Sequence, residues 1–257
     1  MNSIIDLSGK RGLVVGIANE HSIAAGCARM FRSAGAELAV TYLNAKAEPY
    51  VRPVADVLQA RIVLPCDVSE PDQLEGVFER IGKEWGRLDF LLHSIAFAPA
   101  DDLHASLIDC SAHGFAQAMD VSCHSFIRMA KLALPLMTEG GSLMTMSFYG
   151  ADRAVDHYNV MGPVKAALES SVRYLAVDLA ARRVHVHAIS AGAVKTRAAS
   201  GIDHFDALLD DVRSHTPAQH LVTIEEIGRI AAVLASDAGM TLTGSVIYAD
   251  AGFHIVA

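Results

Sequence analysis

Arg11-Gly-Leu-Val-Val-Gly16-Ile-Ala-Asn-Glu-His-Ser22-Ile-Ala-Ala-Gly26-Cys-Ala-Arg-Met-Phe31 decides the fold. Its first six residues are an apolar run closed by glycine, the pattern of a buried strand. Beyond them the apolar positions switch to helical spacing, with Ser22 where an N-cap should stand. A strand, a glycine turn and a helix N-terminus aim N–H groups and the helix dipole at one point, which makes a pyrophosphate site. A strict Gly-x-Gly-x-x-Gly is absent, and Gly16, Ser22 and Gly26 mark the loop instead. An ordinary strand-to-helix turn is the competing reading.

Strands and helices alternate over the rest of the chain. Glu37–Tyr42 reads as the second strand, and 46–60 as a helix interrupted near Pro49 and Pro53. The third strand, 61–68, ends on Asp67. A helix at 71–84 follows, opened by a proline suited to a first turn. The fourth strand, 88–96, is nearly all apolar, as a strand covered on both faces should be. A long helix spans 111–137 with a break around Val121. Strands at 142–148, 184–190 and 245–250 and helices at 156–181 and 224–235 complete the pattern. Repeated βα units predict a Rossmann-like, doubly wound, seven-stranded parallel α/β sheet with helices on both faces, in one domain over 1–257. Ligands of such sheets bind at the carboxyl ends of strands, and Gly16, Asp67, Ser94, Ser147 and Ser190 fall there.

The second informative stretch is Tyr158-Asn-Val-Met161-Gly-Pro-Val-Lys165. Seven steps of about 100° bring a phenol and an amine onto one face of a helix, two turns apart. A phenol is a good hydrogen-bond donor to a developing oxyanion, and a nearby ammonium would lower its pKa.

Composition narrows the class. A chain of 257 residues that is 52% hydrophobic can bury a large core. The net charge of −8 argues against a nucleic-acid surface. No apolar run has the length of a membrane span, and the N-terminus does not read as a signal peptide. Cys27, Cys66, Cys110 and Cys123 form no metal spacing and read as small core residues of a reducing, cytoplasmic protein. His185 and His187 alternate along one strand without a ligand partner, so no metal is expected. His157, beside Tyr158, is a candidate proton relay or a surface histidine.

The chain resembles the short-chain dehydrogenase/reductase superfamily, and within it the divergent enoyl-acyl-carrier-protein reductase branch. The resemblance covers essentially the whole chain. It rests on Gly16-x5-Ser22-Ile-Ala-x-Gly26, on Tyr158-x6-Lys165 and on His93-Ser-Ile-Ala-Phe-Ala-Pro99. Ala191-Gly192, Ala198-Ala-Ser-Gly201-Ile and Asp250-Ala-Gly252-Phe-His-Ile add to it. It implies hydride delivery from NADH, with NADPH not excluded, to the β-carbon of an enoyl thioester, the acyl group being on acyl carrier protein or coenzyme A, in fatty-acid synthesis. Tyr158 would stabilise the enolate and Lys165 would bind the nicotinamide ribose. Gly16, Ser22 and Ile23 would border the pyrophosphate and ribose, and Asp67 and Val68 the adenine. Ser94, Ile95 and Ala96 would pass beneath the cofactor, with Val194 and Thr196 meeting the nicotinamide amide and phosphate. Phe97, Ala98, Leu103, Phe148, Tyr149, Met161, Ile202 and Phe205 are the acyl-pocket candidates, with a substrate-binding segment at about 196–213.

Three departures stand out. Phe148 holds a position where many bacterial members have a second tyrosine, and Tyr149 should point to the opposite face. Ala193 replaces the usual proline. No arginine immediately follows Leu43 at the end of the second strand, and Lys46 is three positions on, which favours NADH, since a 2′-phosphate wants a nearby cation. Surplus apolar faces on the 111–137 and 156–181 helices, and the apolar tail from Gly252, predict a homotetramer. Another reductase of the same fold, acting on a ketone or enone, and a non-catalytic dinucleotide-binding regulator are the alternatives.

Overall fold

In the computed structural model, which describes residues 5–196 and 205–256, alternate residues of the first strand enter different cores. Leu13 and Val15 of β1 (Arg11–Val15) pack on one side of the sheet and Val14 on the other. That two-sided burial requires helices on both faces. The other strands are β2 (Glu37–Tyr42), β3 (Ile62–Pro65), β4 (Phe90–His93), β5 (Gly141–Ser147), β6 (Val184–Ala191) and β7 (Ser245–Ala249). All six pairings are parallel, in the order β3-β2-β1-β4-β5-β6-β7. The order reverses between β1 and β4, which opens a crevice at their carboxyl ends.

One face is covered by α1 (Ile23–Ser33), α2 (Glu48–Leu58) and α9 (Ile224–Ala235). Gly26 and Gly228 let α1 and α9 cross closely: a Cβ on Gly26 would lie 2.4 Å from the Ile224 carbonyl oxygen. The opposite face carries α3 (Pro71–Trp85) and the long helical run before β5, followed by α7 (Met161–Leu179). That run consists of α5 (Ala112–Met119), a π turn at Asp120–His124 and α6 (Ser125–Ala133), so the break expected near Val121 is a π turn. Helix α2 runs through Pro53 rather than breaking. The carbonyl left without a donor is that of Pro49, in the exposed first turn, where water can reach it.

Two short elements lie outside the expected pattern: α4 (Ala100–His104), after β4, and α8 (Phe205–His215), between β6 and α9. Helix α8 packs through Leu209 and Val212 on Tyr149, Ala193 and Phe253. The largest correction concerns Tyr158. Helix α7 starts at Met161, so Tyr158 stands in the turn before it and does not share a helix face with Lys165. His157 and Asn159, on either side of it, adopt left-handed φ of 62° and 42°.

Candidate active site

The sequence at the end of β1 builds the first wall of the crevice. Gly16 has φ 109°, and a Cβ there would fall 2.1 Å from the Ser94 carbonyl oxygen, so only glycine lets β1 turn beside β4. Ser22 caps α1: its hydroxyl accepts from the Ala25 amide at 3.3 Å. The amides of Ile23 and Ala24, at the first two helical positions, have no acceptor among the described residues. These are the unpaired donors that a pyrophosphate would take.

A cavity of about 350 Å³ opens at the carboxyl ends of the central strands. It brings together Ile23, Ser94, Ile95, Ala96, Val194, Thr196 and Lys165 from the expected cofactor set, and Tyr158 from the catalytic pair. Phe97, Ala98, Leu103, Phe148 and Met161 of the expected acyl pocket line the same space. Ser147, expected at the ligand-binding rim, lines it too; sequence reasoning missed Met146, Ala191, Gly192 and Ala193 as wall residues, although all lie at or beyond the ends of β5 and β6.

Other expected residues lie elsewhere. Tyr149 starts a 3-10 turn after β5 and packs edge-on against Phe253, at 5.2 Å, outside this cavity. Gly16, Ser22, Asp67 and Val68 are not among its wall residues either. Asp67 stands beyond the end of β3 and is half-exposed, with its carboxylate accepting from the Ser69 amide and hydroxyl. That is the work of a turn cap. Ile202 lies outside the described residues, and Phe205 begins α8. Of the cysteines, Cys27, Cys66 and Cys123 are buried, and Cys110 is half-buried, packed against the edge of the core.

Chemistry concentrates where β5 meets α7. Lys165 is buried, and its ammonium donates to the Met146 carbonyl at 2.7 Å. Burial pulls its pKa down to about 8. One turn further along α7, buried Glu169 accepts from the Ser147 hydroxyl at 2.5 Å, and burial raises its pKa. Tyr158 is 8% exposed, with its ring 4.9 Å from that of Phe148. Burial, reinforced by the Glu169 carboxylate, raises its pKa, where the expected ammonium effect would have lowered it. Tyr158 is therefore a neutral phenol: a donor with its proton in place.

The cavity floor is held from below. His93 is fully buried between the Thr145 and Ser125 hydroxyls, each 2.8 Å away, and burial pulls it down to about 3, so it is neutral. Ser122, on the π turn, accepts from the Phe97 amide at 2.9 Å and donates to the Phe97 carbonyl at 3.0 Å. Asn159 reaches from the Tyr158 turn to the Leu103 carbonyl at 2.8 Å. His157 is exposed. His187 is buried without a partner for either ring nitrogen, and among the described residues no group of His, Cys, Asp and Glu could hold a metal.

Residues 16–254 match the sequence model of the enoyl-(acyl carrier protein) reductase family. The chain belongs to that family. An enoyl-[acyl-carrier-protein] reductase [NADH] of Rhizobium meliloti is 44% identical over 250 residues, covering 97% of this chain and 92% of that one. The enoyl reductase of Anaplasma phagocytophilum, solved in complex with NAD, superposes with a TM-score of 0.92 at 41% identity, over 98% of this chain and 94% of that one. The Bacillus cereus enoyl reductase, solved with NADP+ and indole naphthyridinone, gives a TM-score of 0.95 at 42% identity, over 98% of each chain. Membership of the family and the doubly wound fold agree with the expectations from sequence. Among the described residues no helix is long and apolar enough to cross a membrane.

Proposed function

We propose that this chain reduces the 2,3 double bond of an enoyl thioester with NADH, the acyl group being carried on acyl carrier protein, in cytoplasmic fatty-acid synthesis. One observation carries the reading: a buried neutral phenol and a buried cation share a single, mainly apolar cavity in a chain of this family.

NADH, when bound, supplies a hydride to the β-carbon. The free α1 amides and Ile23 fit its pyrophosphate end, and Lys165 fits the ribose. Ser94, Ile95, Ala96, Val194 and Thr196 wall the space between them. The turn after β2 favours NADH over NADPH. Leu43 is exposed there, the Asn44 side chain caps the Lys46 and Ala47 amides, and Arg52 is committed to Glu48. As charge develops on the thioester oxygen, Tyr158 donates a hydrogen bond to it, and the enolate is then protonated at the α-carbon, from Tyr158 or through water, to complete the reduction. A donor fixed before the reaction begins contributes about 3–4 kcal/mol. Lys165 adds positive potential, and Phe97, Leu103, Phe148 and Met161 keep water from the reacting atoms.

The chain is further proposed to act as a homotetramer. Much of the apolar surface on α6 and α7 is used within the subunit, since Ala130, Ala133, Leu168, Val172 and Ala176 are buried. What remains is Tyr174 and Val177 on α7, 73% and 78% exposed, and Ile255 and Val256 in the tail. Light scattering at micromolar concentration should give about four times the 27.4 kDa chain mass.

The activity test is a panel of crotonyl and longer enoyl thioesters, 3-oxoacyl thioesters and free enones, each with NADH and with NADPH. Oxidation of NADH on enoyl thioesters alone supports the reading. Turnover only on 3-oxoacyl or free-enone substrates would move the chain to another short-chain reductase activity. Nucleotide binding without any turnover would make it a regulator.

A further inference from the structure

We propose that Asn159 is a positioning residue that sets acyl-chain preference, its side-chain amide tethering α4 to the Tyr158 turn. The acyl part of this inference rests on the enoyl-thioester reading above.

The contact joins two parts of the wall that are remote in sequence. Asn159 Nδ2 donates to the Leu103 carbonyl oxygen at 2.8 Å across 56 positions. Leu103 lies in the last turn of α4, where carbonyls lack intrahelical donors, and the amide of Asn159 is the donor this one receives. On its other side α4 is held by Asp102, a buried residue whose carboxylate accepts from the Ser111 amide at 2.6 Å at the start of α5. Helix α4 is only five residues long and cannot hold its own position. It is fixed between the N-terminus of α5 and the Tyr158 turn. Leu103 and Tyr158 line the same cavity, so the tether sets the gap between the apolar wall and the phenol.

Residue 159 has two separable tasks. Its backbone sits at φ 42°, a left-handed conformation that asparagine tolerates better than most residues, and its amide supplies the donor. Asn159→Gly keeps the backbone freedom and removes the tether. Asn159→Asp keeps the size and the tolerance of left-handed φ, but turns the donor into an acceptor facing a carbonyl. In either variant α4 keeps its Asp102 anchor but loses its tie to the Tyr158 turn, and a long chain loses more wall contact than a short one.

The experiment compares crotonyl and dodecenoyl thioesters with wild type and both variants, using NADH as reductant. The ratio of kcat/KM for dodecenoyl to that for crotonyl should fall about fivefold in each variant, the size of one lost hydrogen bond. The change should appear in KM, with kcat and the Kd for NADH within about twofold of wild type. Thermal melting identifies any variant that fails to fold, and the other then carries the test. An unchanged ratio with active wild type would overturn the tether while leaving the proposed function standing. A wild type inactive on both thioesters would instead overturn the proposed function, and the specificity role with it.

Discussion

Lys165 donates to the carbonyl oxygen of Met146 at 2.7 Å, and the next residue on β5, Ser147, donates to Glu169 at 2.5 Å. The end of β5 is thus pinned to α7 at two points one helical turn apart. Two such bonds in a buried setting fix the ammonium against the cavity wall and leave little freedom in how it faces a ligand.

The first prediction follows from that burial. Lys165 is pulled down to about 8, so the free protein loses its ammonium as pH rises through about 8. The affinity for NADH should weaken by about tenfold between about pH 7 and about pH 9 if the ammonium holds the ribose. The same shift has a stability consequence of opposite sense. The folded pKa lies below the ordinary value of 10.5, so between the two the unfolded chain binds more protons, and stability gained from this group rises with pH. Fluorescence titrations of NADH across that range check the binding limb, and Lys165→Met should flatten it. A wild-type profile without any limb would remove Lys165 from the cofactor site. Tyr158 cannot supply this limb, because burial pushes its pKa upward.

Tyr158→Phe isolates the phenol. The ring stays packed against Phe148 and the surrounding core, so folding and NADH affinity should hold near wild type. The rate on a crotonyl thioester should fall at least about a hundredfold, by loss of the oxyanion donor. Steady-state kinetics at saturating NADH give the answer, and a rate above about a third of wild type would leave the enolate without its assigned donor.

Phe148→Tyr tests the position where a second phenol is common in this family. The Phe148 ring lines the cavity and lies 4.6 Å from Tyr149 and 4.9 Å from Tyr158, so it serves as wall and as packing partner. Adding a hydroxyl there should leave kcat within about threefold. A large gain would show that Tyr158 alone supplies too little stabilisation.

Much of this arrangement is legible in the sequence where local signals and tertiary packing agree. The strand Glu37–Tyr42, the Ser22 cap and the helix Ile224–Ala235 stand where the pattern puts them. The Tyr158 turn is where the reading goes wrong. Helical spacing through Val160, Met161, Val164 and Lys165 extends naturally backward, and neither His157 nor Asn159 announces a left-handed residue. The missed signal is Pro163: a proline is tolerated in a first helical turn, where no intrahelical N–H bond is needed, which places the helix start near 161. Asp67 is legible only as a strand end: its carboxylate caps a turn, a role that the sequence pattern does not separate from a ligand contact. Helix α4 is too short to show a period at all. Its place depends on Asp102 and Asn159, contacts between distant segments that no local pattern encodes.

Ser122→Ala tests whether the π turn serves the site. Ser122 is fully buried, and its single hydroxyl satisfies both the amide and the carbonyl of Phe97, in the loop that follows β4. An α-helical continuation of α5 would bring a different residue to this point, so the wide turn is what presents the hydroxyl to the loop. Removing it leaves two backbone groups without their partner, at a cost of about 1–3 kcal/mol, and should lower Tm by several degrees. The functional effect should exceed what reduced stability explains. Below the melting transition the Kd for NADH should rise, because Ser94, Ile95 and Ala96 share the loop with Phe97 and wall the cofactor side of the cavity. Calorimetry and NADH titration of the same sample separate the two effects. A lowered Tm with an unchanged Kd would confine Ser122 to folding and leave the π turn without a part in cofactor binding.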